Sequence, residues 1–120
     1  MVNVVIGIIE KDNRILLIKR ERGDFINMWG LPGGKVEECE HIDHAIEREI
    51  REELGLQTKF QTLLGISTEI MHDKNSTSFL YVCHLKLISS KIKNPEFETH
   101  WFDIEEIKNL HSMIESDKIF

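Results

Sequence analysis

Aliphatic and β-branched residues crowd two short stretches at the start of the chain, Val2 to Glu10 and Arg14 to Arg20, parted by Lys11-Asp12-Asn13. Runs of this length around a short polar segment predict a β-hairpin. Arg22 to Asn27 reads as a polar loop, and Met28 to Gly34 as a short extended piece ending in a Pro-Gly-Gly turn. The period then changes. From His41 to Leu54, Ile42, Ala45, Ile46, Ile50 and Leu54 recur at spacings of three and four, which predicts a helix, with Gly55 as its C-cap.

Thr58 to Glu69 and Thr77 to Leu87 read as two longer strands. In the second, Phe79, Tyr81 and Cys83 alternate with Leu80, Val82 and His84; both sets are partly apolar, as in a strand covered on both faces. A short strand around His100-Trp101-Phe102 precedes a second helix. That helix opens on Asp103-Ile104-Glu105-Glu106, a capping box in which Asp103 and Glu106 can bond the free amides. Strands interleaved with two helices predict an α/β sandwich around a mixed sheet.

Composition narrows the class. The 120 residues, 41% of them hydrophobic, suffice for one core and predict a single domain over residues 1–120. No stretch has the composition of a linker, and no repeat is visible. Two cysteines, Cys39 and Cys83, are too few for a disulfide framework and suit a reducing cytoplasm. Apolar runs such as Ile15-Leu16-Leu17-Ile18 are far shorter than a membrane helix, and Met1 to Glu10 lacks the pattern of a signal peptide. Without a basic excess, no nucleic-acid or membrane partner is expected.

The net charge of −6 changes the picture, because it is local. Between Glu37 and Glu53 lie eight acids against two arginines, and the rest of the chain is balanced. At a helical advance of about 100° per residue, Glu53 lies about 40° from Glu49, and Glu52 about 60° away on the other side. All three border the apolar stripe rather than oppose it. Like charges so placed repel. A helix laced with salt bridges through Arg48 and Arg51 could offset that repulsion. So could a hard divalent cation, magnesium or manganese, held by carboxylate oxygens.

Spacing separates these alternatives. From Gly34 the chain runs through five residues to Glu40, seven more to Arg48-Glu49-Ile50, one to Glu52-Glu53 and one to Gly55-Leu56. The pattern matches all nine defined positions of the Nudix box and covers 23 residues, so the chain resembles the Nudix hydrolases, MutT-like members in particular. Leu-Leu-Ile-Lys-Arg on the second strand, Trp-Gly-Leu-Pro-Gly-Gly before the box and Trp101-Phe102 before the last helix look like the family as well. Cys39 stands where the family often has Gly, and His41 where it often has Ser or Thr; the second departure weakens the helix start by about 1 kcal/mol.

The resemblance implies an α/β/α sandwich and metal-assisted attack of water on a diphosphate linkage, with Mg2+ or Mn2+ as cofactor. It implies Glu49, Glu52 and Glu53 as metal ligands, helped by the Gly33 carbonyl. Arg48 would orient Glu49, Glu40 would pair with Arg48 behind the ligands, and the remaining acids of the stretch, Glu47 among them, would be solvated helix. Glu96, before the last strand, is the expected fourth acid, catalytic and metal-binding, with Glu98 its competitor. Arg20 resembles a phosphate-contacting arginine. The implied partner is a small-molecule nucleotide, with monomer and homodimer both open.

Other constellations carry less. Cys39, His41 and His44 lack a fourth zinc ligand. Gly33-Gly34-Lys35 is not a P-loop, since Trp29 stands at its first glycine and Val36 at its Ser/Thr. Phe25, Trp29 and Phe79 could stack on a base, though such residues more often fill a core. His72, His84 and His100 have no triad spacing with a nucleophile. The leading expectation is hydrolysis of a nucleoside triphosphate, oxidised ones included, to monophosphate and pyrophosphate. ADP-ribose or nucleotide-sugar members often carry a proline near position 72, where Met71-His72-Asp73 stands. Dinucleoside-polyphosphate members tend to carry a tyrosine nearby, and the only one is Tyr81. A nucleotide-sensing module without catalysis is the alternative of another class.

Overall fold

The computed structural model describes residues 2–21, 26–71, 76–89, 91–93 and 95–110. Its elements are β1 (Val2–Lys11), β2 (Arg14–Lys19), β3 (Trp29–Gly30), β4 (Gly33–Lys35), α1 (Ile42–Leu54), β5 (Thr58–Met71), β6 (Ser76–Leu87), β7 (Glu98–Asp103) and α2 (Ile104–Lys108). The strands form one sheet in the order β3-β2-β1-β6-β5, with β4 also paired to β1 and β7 to β2. β1 and β6 run parallel from Val2↔Ser78 to Ile9↔Leu85, and the other pairs are antiparallel. The sheet is therefore mixed, as expected.

Local chemistry explains the first elements. Asp12 (φ 53°) and Asn13 (φ 63°) are both left-handed, the pair of conformations a two-residue hairpin turn requires, and Asp and Asn tolerate it better than most residues. The four aliphatics Ile15 to Ile18 are all buried because they divide between two cores. Leu16 and Ile18, with Val5 and Ile9, pack against Ala45, Ile46, Ile50 and Leu54 of α1. Ile15 and Leu17, with Ile6 and Ile8, pack on the other face with Phe102 and Ile107. Strands buried on both faces need no alternation, which is why the run is continuous.

α1 keeps the expected limits. His41 is its N-cap but makes no side-chain cap hydrogen bond, in keeping with the weak start expected there. Gly55 ends the helix in the left-handed region (φ 65°), its N–H donating to the Arg51 carbonyl at 2.9 Å. At α2 both hydrogen bonds of the Asp103–Glu106 capping box are formed. Both long strands run slightly further than the periodicity indicates.

Two expectations need correction. Pro32-Gly33-Gly34 is not a reversing turn: Gly33 and Gly34 enter β4, opposite Ile6 and Val5, and the Pro32 carbonyl accepts from the Gly7 N–H at 2.8 Å. An unpaired length of β1 captures the segment, and backbone pairing overrides local turn preference. Glu47 is not a purely solvated helix acid either. Its Oε2 accepts the Phe60 N–H at 2.8 Å, at the first of two irregularities in β5, and so ties α1 to that strand. Phe25 and His72 lie outside the described residues. Among the described residues no helix is long and apolar enough to cross a membrane.

Candidate active site

β4 and the C-terminal half of α1 lie side by side, and their contact builds the site. Gly34 lets them meet: a Cβ there would run into the Glu49 carboxylate. Arg48, one residue earlier on α1, is the hub. Its Nε and Nη2 donate to the two oxygens of Glu40 at 2.7 and 2.9 Å, a bidentate pair. Nη1 donates to Glu49 at 2.9 Å and to Glu52 at 3.2 Å, and Nη2 also reaches the Lys35 carbonyl at 3.1 Å. Glu37 stands 3.7 Å from Nη1, and its own N–H donates to Glu40 at 3.0 Å.

These contacts set the local charge states. The Arg48 guanidinium, aided by the Glu37 N–H, holds Glu40 down at about 2. Its acceptors, Glu40 foremost, push the Arg48 pKa up, so it stays a cation. Glu49 is raised instead, because burial outweighs the help from Arg48. Glu52 is the outermost of the three carboxylates Glu49, Glu52 and Glu53, its side chain 56% exposed.

Glu53 occupies a different environment. It is only 7% exposed, and its Oε1 accepts the Gly33 N–H at 3.1 Å. Burial pushes its pKa up to about 8; Arg20 pulls it down, while Glu49 and Glu96 add to the rise. Arg20 stands just past β2, with Nη2 donating to the Leu31 carbonyl at 3.3 Å. The Glu96 N–H donates to the Glu53 carbonyl at 2.8 Å, which holds Glu96 at the end of α1. Glu98 lies further along, in β7 opposite Lys19.

The fold thus gathers Arg20, Gly33, Glu49, Glu53 and Glu96 at one end of α1, beside the Arg48–Glu40 brace and Glu52. Among the described residues no three acidic, His or Cys side chains already enclose a position for a metal ion. Glu49 and Glu52 turn to Arg48, and Glu53 to Gly33. The donor set still suits a hard divalent cation: three carboxylates on one helix edge, one buried and short of positive charge. Cys39 is exposed and apart from this set in chemistry, and the rings of His41 and His44 meet edge to face at 6.1 Å. Trp29 packs edge-on against Phe102 at 5.1 Å, beside the second core. Phe79 lies half-buried in β6. Sequence reasoning missed Glu47 and the Lys35 carbonyl. No local signal marks either, since each acts across a long stretch of chain.

A seven-stranded mixed sheet between two helices, with a carboxylate-rich edge on the first, is the architecture of an α/β/α sandwich built around an acidic site. The family model "NUDIX domain" matches residues 1–120, and the chain belongs to the Nudix family. It is 40% identical over 106 residues to the "ADP-ribose pyrophosphatase" of Methanocaldococcus jannaschii, covering 87% of this chain and 63% of that protein. It is 43% identical over 56 residues to the "8-oxo-dGTP diphosphatase" of Buchnera aphidicola, covering 46% of this chain and 43% of that one. The chain thus spans less than two-thirds of the length of both curated relatives. Among solved structures it resembles a MutT Nudix hydrolase from Burkholderia pseudomallei, with TM-score 0.87 and 30% identity over 98% of this chain and 93% of that one.

Proposed function

We propose that the chain, acting as a single domain over residues 1–120, is a divalent-cation-dependent pyrophosphohydrolase of the cytoplasm. It cleaves the diphosphate linkage of a nucleoside diphosphate derivative. The first-ranked substrate is a nucleoside triphosphate, oxidised ones included, going to monophosphate and pyrophosphate. The observation that carries this reading is Glu53, a buried carboxyl raised to about 8 next to Arg20, Glu49 and Glu96. A structural helix would not keep an acid there; a site that handles a cation or a proton near neutral pH has reason to.

Glu49, Glu52 and Glu53, with the Gly33 carbonyl and Glu96, would hold Mg2+ or Mn2+. When bound, the cation would neutralise phosphate oxygens and lower the pKa of a water. The remaining work falls to the chain. Arg48 keeps one Glu49 oxygen oriented through Nη1, and Glu40 holds Arg48 in place through two short hydrogen bonds. Arg20 supplies a positive charge for a substrate phosphate. Glu53 Oε1 is engaged by the Gly33 N–H, which leaves Oε2 to face the cation or to receive a proton from the attacking water.

A second substrate, ADP-ribose or a nucleotide sugar, is favoured by the 40% identity to the Methanocaldococcus jannaschii protein of that name. Against it stands Met71-His72-Asp73, without proline. The deciding experiment is a magnesium-dependent assay of phosphate, pyrophosphate and monophosphate release from nucleoside triphosphates, ADP-ribose, nucleotide sugars and dinucleoside polyphosphates. Pyrophosphate release from a triphosphate supports the first ranking, and preferential cleavage of ADP-ribose replaces it with the second. Magnesium binding with no hydrolysis of any class would leave a sensor in place of an enzyme.

A further inference from the structure

The connection from β6 to β7, residues 88–97, crosses the C-terminal end of α1 and is fastened there by its backbone. The Lys93 N–H donates to the Leu54 carbonyl at 3.0 Å, and the Glu96 N–H to the Glu53 carbonyl at 2.8 Å. Both acceptors lie in the last turn of α1, where a helix leaves its carbonyls without internal partners. Further back, the Gln57 N–H donates to Ser89 Oγ at 3.1 Å, and the Ser89 N–H to the Gln57 carbonyl at 3.2 Å. Ile92 and Phe97 pack, partly buried, against the α1-side core. The connection is thus a strap across the helix end. Glu96 is exposed on it, close enough for its charge to act on the Glu53 carboxyl.

Gly55 lies beneath the strap and meets two separate demands. Its φ of 65° is left-handed, which ends the helix and which Asn also adopts. The second demand is space. A Cβ on Gly55 would stand 2.4 Å from the Lys93 carbonyl oxygen and 3.0 Å from Lys93 Cβ. That oxygen is backbone, so the strap itself would have to move. Ending a helix needs only the left-handed residue. The missing Cβ serves what lies across the end.

We propose that Gly55 is a positioning residue: by admitting the Lys93 carbonyl it seats the strap on α1 and so holds Glu96 beside Glu53. The inference rests on the reading of Glu96 as part of the cation site. Gly55 acts through the backbone of the strap, not on the reacting atoms. A glycine kept for packing alone would affect stability, and its effect on turnover would not depend on Glu96.

Gly55→Asn separates the two demands, since Asn tolerates the left-handed cap but brings a Cβ. In the full metal-free chain, amide exchange at Lys93 and Glu96 should quicken about tenfold or more, while the position-55 amide, bonded to Arg51, stays protected. With magnesium and a cleaved nucleotide, kcat should fall roughly ten- to a hundredfold with KM little changed. The decisive comparison is a cycle with Glu96→Gln. If Gly55 acts through Glu96, Gly55→Asn costs nothing further once that carboxylate is gone. Losses that multiply in the double variant overturn the proposal, as does unchanged exchange at Lys93 and Glu96 or full kcat in Gly55→Asn. Full kcat in Glu96→Gln overturns it too but leaves the hydrolase reading intact. If the parent chain cleaves no nucleotide, the hydrolase reading fails instead, and the cycle is read from Mn2+ affinity. Weaker binding in Gly55→Asn, with no such loss in the Glu96→Gln background, then supports the positioning, and equal binding overturns it. Should Gly55→Asn not fold, Ile92→Ala loosens the same strap from its core side and takes its place in the cycle.

Discussion

Two carboxyl groups placed by the same helix are held in opposite ways. Glu40 just precedes α1, and Arg48 grips both of its oxygens and holds it near 2. Glu53 lies near the helix end, buried, and is raised to about 8. The first region contains its own cation. The second has Arg20 and a single backbone N–H, less positive charge than a buried carboxylate needs. The contrast divides the acidic cluster into a brace that is complete within the chain and a site that an external cation would complete.

Replacing Glu53 by Gln tests the second region most directly. The amide can still accept from the Gly33 N–H, so the fold should persist, while turnover with magnesium falls roughly 10³-fold; rates of product release measure it. Retained activity would move the proton-accepting role elsewhere, with Glu96 first in line. In the brace the loss should be structural as well as functional. Arg48→Ala leaves Glu40, Glu49 and Glu52 facing one another and should cost about 2 kcal/mol in urea denaturation. An unchanged midpoint would mean that solvent replaces the guanidinium.

The two regions also titrate apart. Glu40 is depressed on folding, so its contribution is full above 4.5 and is lost as pH falls toward about 2. Glu53 is raised on folding, so its contribution is greatest below 4.5 and fades as pH rises to about 8. Metal-free protein should therefore lose stability between pH 5 and 8, magnesium should restore it at pH 8, and Glu53→Gln should flatten the profile. A flat profile in the parent chain would remove the contrast. The smallest effect is expected at the helix start, where His41→Ser supplies the absent cap bond and should add about 0.5–1 kcal/mol without altering activity.

The helix, the hairpin and the capping box were legible because each rests on neighbours within a few residues. The spacing of Glu40, Arg48, Glu49, Glu52 and Glu53 likewise follows from one helix and its approach. β4 was misread as a turn because its partner lies some 30 residues earlier in the chain, on β1. Glu47 was read as solvated because the N–H it accepts belongs to a strand that local periodicity cannot place beside it. Glu96 over Glu98 is a choice that spacing alone leaves open; the backbone bond from Glu96 to Glu53 puts the former at the end of α1.

By itself the sequence determined the family, the acidic helix and the order of its ligand-type residues, since these depend on residue type at fixed local spacing. Only the tertiary structure decided which carboxyl is already neutralised and which is not. A charge state depends on burial and on partners brought from β2, β4 and the segment before β7, and distance along the chain does not measure either.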